Sequence, residues 1–276
     1  MALTMTALLG DLAAESAELT AMLAPLAAAQ WELPTPAAGW AVGDQVSHLA
    51  YFDEAATLTA TDPARFRAEA SALMEGGDDF TGDVARTYRQ LTPAVLMDWL
   101  SRARSDYIRV FSGLDPSERL PWYGPPMSAA SSVTARLMET WAHGQDIADA
   151  VGWHREPTAR LRHVAHLGVA TRGFSFQLRG QPVPQAPVRV VLTAPDGSAW
   201  AWGPPDAADR VEGDALDFCL LVIQRRHRDD TGLRATGAVA SAWLGLAQAF
   251  AGPPGPGRPS AAESSAAESR AAGGPP

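Results

Sequence analysis

The sequence predicts a mainly α protein in which an up-down four-helix bundle over residues 1–155 precedes a small α+β domain over residues 156–250. Three observations support this fold class. Apolar residues recur at helical spacing in four long stretches before Pro157. Two β-rich runs flank an Asp-Gly pair after it. From residue 251 onward Gly, Pro, Ser and Ala dominate, which predicts a disordered tail over residues 251–276.

The four predicted bundle helices combine small apolar side chains with isolated acidic residues at a period near 3.6. Proline and glycine set several boundaries, since the second helix should end before Pro63 and Gly152 should close the fourth. Pro93 predicts a break, or a late start near Thr92, in the third helix. The four helices are predicted at residues 4–30, 42–60, 84–111 and 131–151. Short connections between four such helices are typical of a bundle.

The second domain is predicted to begin with a helix over residues 158–175. A β-hairpin should follow, because the β-rich runs 188–193 and 198–203 flank the turn-forming pair Asp196-Gly197. Two more helices, over residues 213–226 and 237–250, complete the predicted α+β domain.

The composition excludes several classes of function. The formal net charge of −9 disfavours a nucleic-acid partner, because phosphate binding needs a basic face. Every basic residue is Arg, so a Schiff-base lysine is excluded. The sequence shows neither a basic, apolar leader nor an apolar run of ~20 residues, which predicts a cytoplasmic protein with no membrane partner. The single cysteine, Cys219, excludes an intrachain disulfide and a multi-thiolate zinc site.

The fourth predicted helix carries the strongest candidate for chemistry. Glu139 and His143 are four residues apart, which places both on one helix face with Cβ atoms roughly 5–6 Å apart. Mostly apolar neighbours predict that this helix is buried nearly all round. A buried carboxylate beside an imidazole needs compensation, which a divalent cation or a plain hydrogen bond would supply. A solvated polar stripe is the alternative interpretation.

A metal site needs a third ligand, and the candidate is His48 on the second predicted helix. A core or surface histidine is the alternative for this residue. Asp44 or Asp146 could hydrogen-bond a ligand histidine through its second ring nitrogen, or could be ordinary helix-surface carboxylates.

Two separated motifs carry a resemblance to a known family. They are Gly39-Trp40-x-Val42-x-Asp44-x-Val46-x-His48-Leu49 and Glu139-x-x-x-His143-Gly144-x-Asp146. Together they resemble the metal-binding pattern of the DinB-like superfamily, specifically its mycothiol-dependent maleylpyruvate isomerase branch, with the nearest likeness to a subgroup of metal-binding proteins. The likeness covers about residues 1–155, and the downstream segment resembles the C-terminal domain of those enzymes.

The resemblance implies that His48, Glu139 and His143 bind Zn²⁺ or another divalent metal. Two imidazoles and one carboxylate leave at least one coordination position open, as in catalytic zinc sites. In the family, that position binds the sulfur of a low-molecular-weight thiol, mycothiol, which attacks a small electrophile. Addition, rotation and expulsion of the thiol would make the protein an isomerase, whereas addition alone would make it a thiol S-transferase. The sequence leaves both possibilities open.

The family also places an arginine of the C-terminal domain against the active site. Arg225 and Arg226 are the candidates for this catalytic role, because a guanidinium can hold a substrate carboxylate through two hydrogen bonds. The alternative is basic charge that complements the end of a helix.

Two other functions fit the same ligand set. Two histidines and one carboxylate also suit a non-heme Fe(II) enzyme, and a non-catalytic metal-containing binding protein would need no open position. Outside this set, His163 and His166 are predicted on a solvated helix face and Cys219 as a buried, inert thiol. Trp122 and Tyr123 are predicted either to wall a pocket or to pack in a Pro-rich corner.

Overall fold

A computed structural model of the chain describes residues 4–75, 77, 79–255 and 257–265. The chain divides into two compact units between Arg155 and Glu156. The first unit is almost entirely helical, and the second combines helices with a four-stranded sheet. The predicted mainly α fold class is therefore confirmed. No helix in the described part of the chain is both long and apolar enough to cross a bilayer.

Four long helices build the first unit: α1 (Met5–Leu23), α2 (Val42–Thr61), α5 (Pro93–Phe111) and α6 (Ala129–Val151). Each contributes large apolar side chains to one shared core, among them Leu23, Leu49, Leu100 and Ile147. Burial of this apolar surface is the main stabilisation of such a bundle. A short 3₁₀ turn, Ala28–Glu32, adds Trp31 to the same core.

Two shorter helices lie between α2 and α5, namely α3 (Pro63–Met74) and α4 (Phe80–Thr87). The sequence pattern does not predict α3, because Pro63 indicates only the end of the preceding helix. Pro63 instead opens the new helix, where its missing N–H costs nothing, and Asp62 caps it by accepting a 3.0 Å hydrogen bond from the backbone of Arg65.

A single helix over residues 84–111 is wrong, and the break near Thr92 that Pro93 indicated is confirmed. The chain leaves the helical conformation after α4 and returns to it at Pro93, with Thr92 in the extended conformation of an N-cap. This late start places Tyr88 and Arg89 in the connection between the two helices.

The helix with the candidate residues, α6, is capped at both ends. Ser128 accepts a hydrogen bond from the backbone of Ser131 at the N-terminus, and Gly152 adopts the left-handed conformation that ends the helix. Before α6, the Pro-rich stretch forms a minimal hairpin of β1 (Arg119–Leu120) and β2 (Met127–Ser128). The fourth predicted helix is therefore confirmed, beginning two residues earlier than expected.

The second unit contains four strands, β3 (Val188–Thr193), β4 (Ala199–Trp202), β5 (Asp209–Asp214) and β6 (Arg234–Thr236). They form one sheet of order β4-β3-β5-β6, in which β3 and β5 are parallel. The predicted hairpin around Asp196-Gly197 is confirmed as β3 and β4, whereas β5 and β6 were not predicted.

The helices of the second unit are α7 (Leu161–Ala170), α8 (Arg172–Gln177), α9 (Ala215–Val222) and α10 (Ala238–Leu244). The helix predicted over residues 213–226 is α9, which is shorter at both ends, because β5 continues to Asp214 and the helix ends at Val222.

The predicted disordered tail is described in part. Residues 256 and 266–276 lie outside the described residues, so the prediction is untested there. In the described part, Ser260 is 6% exposed and bonds the carboxylate of Glu263 through its backbone N–H and its hydroxyl. Asp230 accepts a hydrogen bond from the backbone of Ala261, so this part of the tail contacts the second unit.

Candidate metal centre

Three side chains from two helices meet inside the first unit. Glu139 and His143 project from consecutive turns of α6, and His48 reaches them from α2. Nε2 of His143 lies 3.1 Å, and Nε2 of His48 3.9 Å, from the same oxygen of Glu139. One possible ligand atom from each residue lies within 4.8 Å of those of the other two. The structure thus brings together the three residues that the sequence singled out.

The cluster lies in a largely buried environment. Both histidines are 8% exposed, and the carboxylate side chain of Glu139 is 23% exposed. Most positions of α6 are buried, as the apolar neighbours of the pair predicted, so the solvated-stripe interpretation is wrong. The cluster therefore combines buried imidazole nitrogens with a carboxylate that keeps some access to solvent.

Burial and neighbouring groups shift the pKa values of His48 and Glu139. It lowers the pKa of His48 to about 3, an effect that the neighbouring His143 increases and that Glu139 opposes. Burial alone would raise the pKa of Glu139, but its interactions with His143 and His48 outweigh this effect and hold the pKa well below its usual range. At neutral pH His48 is therefore an uncharged imidazole beside a carboxylate.

His48 lacks the hydrogen bonds that a buried imidazole needs. Its Nδ1 is buried and has no hydrogen-bond partner among the described residues. Its Nε2 faces Glu139 at 3.9 Å, which is beyond hydrogen-bond range. A buried polar nitrogen without a partner costs free energy, so the His48 ring is incompletely satisfied by the protein alone.

A chain of hydrogen bonds behind the cluster holds His143. Its Nδ1 contacts Oε1 of Gln45, which is fully buried in α2. The amide nitrogen of Gln45 donates to the Thr35 hydroxyl at 2.8 Å, and that hydroxyl donates to the carbonyl of Trp40 at 2.9 Å. Because an amide oxygen can only accept a hydrogen bond, the contact with Gln45 places Nδ1–H on the side of α2, and the other nitrogen, Nε2, faces Glu139 at 3.1 Å.

The sequence does not predict the role of Gln45 and offers two carboxylates, Asp44 and Asp146, in its place. Asp44 instead forms an ion pair with Arg89, with a closest approach of 2.8 Å, and accepts a hydrogen bond from the backbone of Ala41 at the start of α2. Asp44, Arg89 and Trp40 also line a cavity of about 680 Å³ in the first unit. Asp44 therefore caps a helix and pairs with an arginine. Asp146 is buried as well, rather than on a helix surface.

Aromatic rings enclose the cluster. Trp40 stacks on His143 with ring centroids 5.9 Å apart, and its edge faces His48 at 5.3 Å. On the other side Phe52 lies 4.6 Å from the His48 ring and 5.5 Å from the ring of Tyr123. These rings limit the access of water to the histidines.

Trp122 and Tyr123 extend this aromatic wall. Trp122 stacks on Phe66 at 6.0 Å, and Tyr123 stacks on Phe80 at 5.4 Å. Both Trp122 and Tyr123 remain partly exposed. Trp122 and Tyr123 therefore pack against other aromatic rings, as one prediction had it. They also contact Phe52, which lies against His48, so they border the cluster as the other prediction had it.

A buried ionic network lies one helical turn from the cluster. The carboxylate of Asp53 accepts hydrogen bonds from Arg104 at 2.6 Å and from Arg136 at 2.8 Å, and all three side chains are at most 6% exposed. Arg104 also donates to the Thr140 hydroxyl, and Arg136 to the carbonyl of Leu49. The network joins α2, α5 and α6 and thereby fixes the two helices that carry His48 and Glu139. The sequence analysis missed it, because charged residues are usually exposed.

Arg225 and Arg226 belong to the second unit, just after α9. The backbone N–H groups of both donate to the carbonyl of Leu220, and the side chain of Arg225 donates to the carbonyl of Ile223 at 2.8 Å. Arg226 lines a cavity within the second unit. Their predicted role toward the substrate stays a prediction.

The remaining candidates have structural roles. His163 is 8% exposed, so the predicted solvated face is wrong for it, whereas His166 is exposed. Cys219 is fully buried with its thiol near the carbonyl of Leu161, and burial raises its pKa. The prediction of an inert thiol is therefore supported by its environment.

Two family models match the chain, one in each unit. Residues 12–148 match the family model described as mycothiol maleylpyruvate isomerase N-terminal domain, and residues 184–236 match a model described as wyosine base formation. Two relatives from strains of Mycobacterium tuberculosis, Uncharacterized protein MT0041 and Uncharacterized protein Rv0036c, are each 47% identical over 252 residues. Each alignment covers 90% of this chain and 96% of the relative.

Two solved structures share the fold. They are those of a mycothiol-dependent maleylpyruvate isomerase and of a mutant of it, with TM-scores of 0.56 and 0.57 and sequence identities of 15% and 14%. Each comparison covers 84% of this chain and 93% of the other. Fold and site together define a helical protein with a buried His-Glu-His cluster. The chain belongs to the mycothiol maleylpyruvate isomerase family, as the two sequence motifs indicated.

Proposed function

We propose that this protein is a zinc-dependent cytoplasmic enzyme that activates a low-molecular-weight thiol, of the mycothiol type, for addition to a small electrophile. The observation that carries the proposal is the meeting of His48, Glu139 and His143 in one buried cluster. Membership of the family supports the use of a thiol.

The donor set fits a divalent cation. His48 is uncharged at neutral pH, which is the state in which an imidazole binds a metal. Its Nε2, which lies 3.9 Å from the carboxylate of Glu139, would gain a partner in the ion. If the ion is four-coordinate, two imidazole nitrogens and one carboxylate oxygen would leave one position for an exchangeable ligand. His48, Glu139 and His143 would hold the ion. When bound, Zn²⁺ would lower the pKa of a thiol and so supply a thiolate near neutral pH.

The surrounding residues would prepare the site for this chemistry. Gln45 holds the ring of His143 in one orientation, so that Nε2 faces the cluster. Trp40 and Phe52 lie against the two imidazoles and exclude water from them. Exclusion of water protects a thiolate from solvation and strengthens its interactions.

The reaction would begin with attack of the thiolate on a carbon conjugated to a carbonyl. A C–S bond forms, and the electron pair of the double bond moves to the carbonyl oxygen. Rotation about the new single bond and expulsion of the thiolate would return the double bond in the other geometry, which is isomerisation. Protonation of the adduct without expulsion would complete a thiol S-transfer instead. Arg225 would hold a carboxylate of the substrate in either reaction.

The Co(II)-substituted protein tests the proposal. Addition of mycothiol should produce an intense sulfur-to-cobalt charge-transfer band, because the thiolate would bind the metal directly. An alcohol analogue of the same thiol is the matched control and should produce no such band. A metal-loaded protein whose spectrum the thiol does not change would remove the thiol mechanism.

The same ligand set suits non-heme Fe(II), so the natural metal needs a separate test. Metal analysis of the protein as purified should find zinc, and the protein should consume no oxygen. Iron together with substrate-dependent oxygen uptake would favour the non-heme alternative. Retention of a metal with neither thiol binding nor oxygen uptake would favour a non-catalytic binding protein.

A further inference from the structure

The second unit contains a cavity with a strongly cationic lining. Its volume is about 280 Å³, and it lies where the end of α9, the following 3₁₀ turn and the segment after α10 come together. The lining contains one acidic residue, Asp229, and five basic ones, which are Arg179, Arg226, His227, Arg228 and Arg258. The carboxylate of Glu263 also interacts with His227. Such a concentration of positive charge is notable in a chain with a net charge of −9.

Three of these arginines have no carboxylate partner within the part of the chain that the structure describes. Arg179 and Arg228 each donate one long hydrogen bond of 3.3 Å to a backbone carbonyl, of Ser175 and Ser241 respectively. The guanidinium of Arg226 makes no hydrogen bond to any described residue. The carboxylate of Asp229 lies 3.6 Å from the ring of His227. The lining therefore holds guanidinium groups with most of their donors unused.

A strained turn presents Arg226 to the cavity. Gln224 has a φ of 58° and is the one non-glycine residue with positive φ among the described residues. Such a conformation is unfavourable for a residue that carries a side chain, and it persists where the surroundings enforce it. Here the side chain of Gln224 donates to the carbonyl of Ala247, and the backbone of Ala249 donates to the carbonyl of Val222 at 2.7 Å. The turn is thus braced against the segment after α10, which also lines the cavity.

Unpaired arginines that line one cavity repel one another, and a bound anion relieves this repulsion. Guanidinium groups match the oxygens of phosphate and carboxylate in both spacing and plane. Several cations around one small volume favour a dianion over a monoanion, because each additional charge adds Coulomb attraction. We propose that this cavity binds a small phosphate-bearing molecule through Arg179, Arg226 and Arg228.

This proposal rests on residues of the second unit alone and does not depend on the metal cluster. It also gives the two arginines of the substrate prediction different roles. Arg226 serves the phosphate site, and Arg225 stays the predicted partner of the substrate carboxylate.

Titration of the full-length protein with inorganic phosphate tests the proposal. Calorimetry at constant ionic strength should show saturable binding of about one phosphate per chain, and acetate should not compete. The double substitution Arg179→Gln and Arg228→Gln should weaken binding by about tenfold or more. As the control, Arg234→Gln removes an arginine charge from an exposed position on β6, outside the cavity lining. This substitution should change phosphate binding by less than about twofold.

A second measurement requires no variant. Phenylglyoxal modifies accessible guanidinium groups, and peptide mass spectrometry locates the modified residues. Phosphate should protect Arg226 and Arg228 in the native protein and leave Arg234 unprotected. The proposal is overturned if phosphate binding does not saturate, if acetate binds equally well, or if protection is the same at all three arginines.

Discussion

Oε1 of Gln45 contacts Nδ1 of His143 across 98 positions of sequence. The contact joins α2 to α6 at the level of the cluster and determines which nitrogen of His143 faces Glu139. Gln45 is itself fixed by its 2.8 Å hydrogen bond to the Thr35 hydroxyl. The orientation of the His143 ring therefore depends on the neutral side chain of Gln45, which is not itself a candidate metal ligand.

Replacement of Gln45 should weaken metal binding without removing a ligand. Gln45→Leu keeps the approximate volume but cannot accept the hydrogen bond from Nδ1, so we expect metal affinity to fall by about 10- to 100-fold. Gln45→Glu retains an acceptor and should lose less. Competition with a chelator of known affinity measures both variants. Equal affinities of the Leu variant and the unsubstituted protein would show that Gln45 does not position His143.

The ligand assignment predicts the metal content of two further variants. His48→Ala and His143→Ala each leave two of three protein ligands, so metal retained after dialysis should fall from about one equivalent to almost none. His166→Ala removes an exposed histidine of the second unit and is the control for the loss of an imidazole. Inductively coupled plasma mass spectrometry provides the measurement. Full retention by either of the first two variants would refute the assignment.

The parts of the site that could be predicted are those that local geometry determines. Glu139 and His143 are neighbours in any α-helix, because four residues make about one turn. The meeting with His48 depends on how α2 packs against α6, and only the family resemblance supplied it. Gln45 could not be predicted, since a glutamine on a helix gives no sign of a partner 98 positions away.

The fold shows the same division. Caps and breaks are local, so the predicted helix end at Gly152 and the break before Pro93 agree with the structure. Strands β5 and β6 pair with residues distant in sequence, and their own residues lack a clear alternating pattern, as in the Asp-Arg-Val-Glu-Gly-Asp of β5. The turn sequence therefore predicted only two of the four strands of the sheet, β3 and β4.

The buried network around Asp53 should contribute strongly to stability. Asp53→Asn leaves Arg104 and Arg136 in the core without a counter-charge, and we expect a loss of about 3–5 kcal/mol in the free energy of unfolding. Asp98→Asn breaks an exposed ion pair with Arg102 on the same bundle and should have far less effect. Urea unfolding of both variants measures the difference. Similar losses in the free energy of unfolding for the two variants would mean that the buried Asp53 network contributes no more to stability than an exposed ion pair.

Arg225 should affect substrate binding without affecting the metal. Arg225→Ala should raise the Michaelis constant by about tenfold or more, because a charge-assisted bidentate contact would be lost. Arg225→Lys keeps the charge but not the planar pair of donors, and should recover only part of the affinity. Metal content should be unchanged in both variants. An unchanged Michaelis constant for Arg225→Ala would exclude the role and return attention to Arg226.

The ionisation of Tyr107 should make the folded protein less stable at high pH. Its side chain is fully buried in α5 with its hydroxyl 3.1 Å from that of Ser132, and burial raises its pKa, an effect that the Ser132 contact only partly offsets. In the unfolded chain a tyrosine loses its proton near pH 10. Above that pH the folded state therefore binds more protons than the unfolded state, and stability falls as pH rises.

The size of this effect can be isolated by substitution. Above pH 10, Tyr107 should lower the free energy of unfolding by up to about 1.4 kcal/mol for each further pH unit. Below pH 10 it should contribute no pH dependence. Tyr107→Phe removes the ionisation, so its stability should fall less steeply than that of the unsubstituted protein between pH 10 and 11. Below pH 10 the two curves should differ by a constant, because only the hydrogen bond to Ser132 is lost. Parallel curves in urea unfolding up to pH 11 would mean that Tyr107 ionises as readily in the folded bundle as in water.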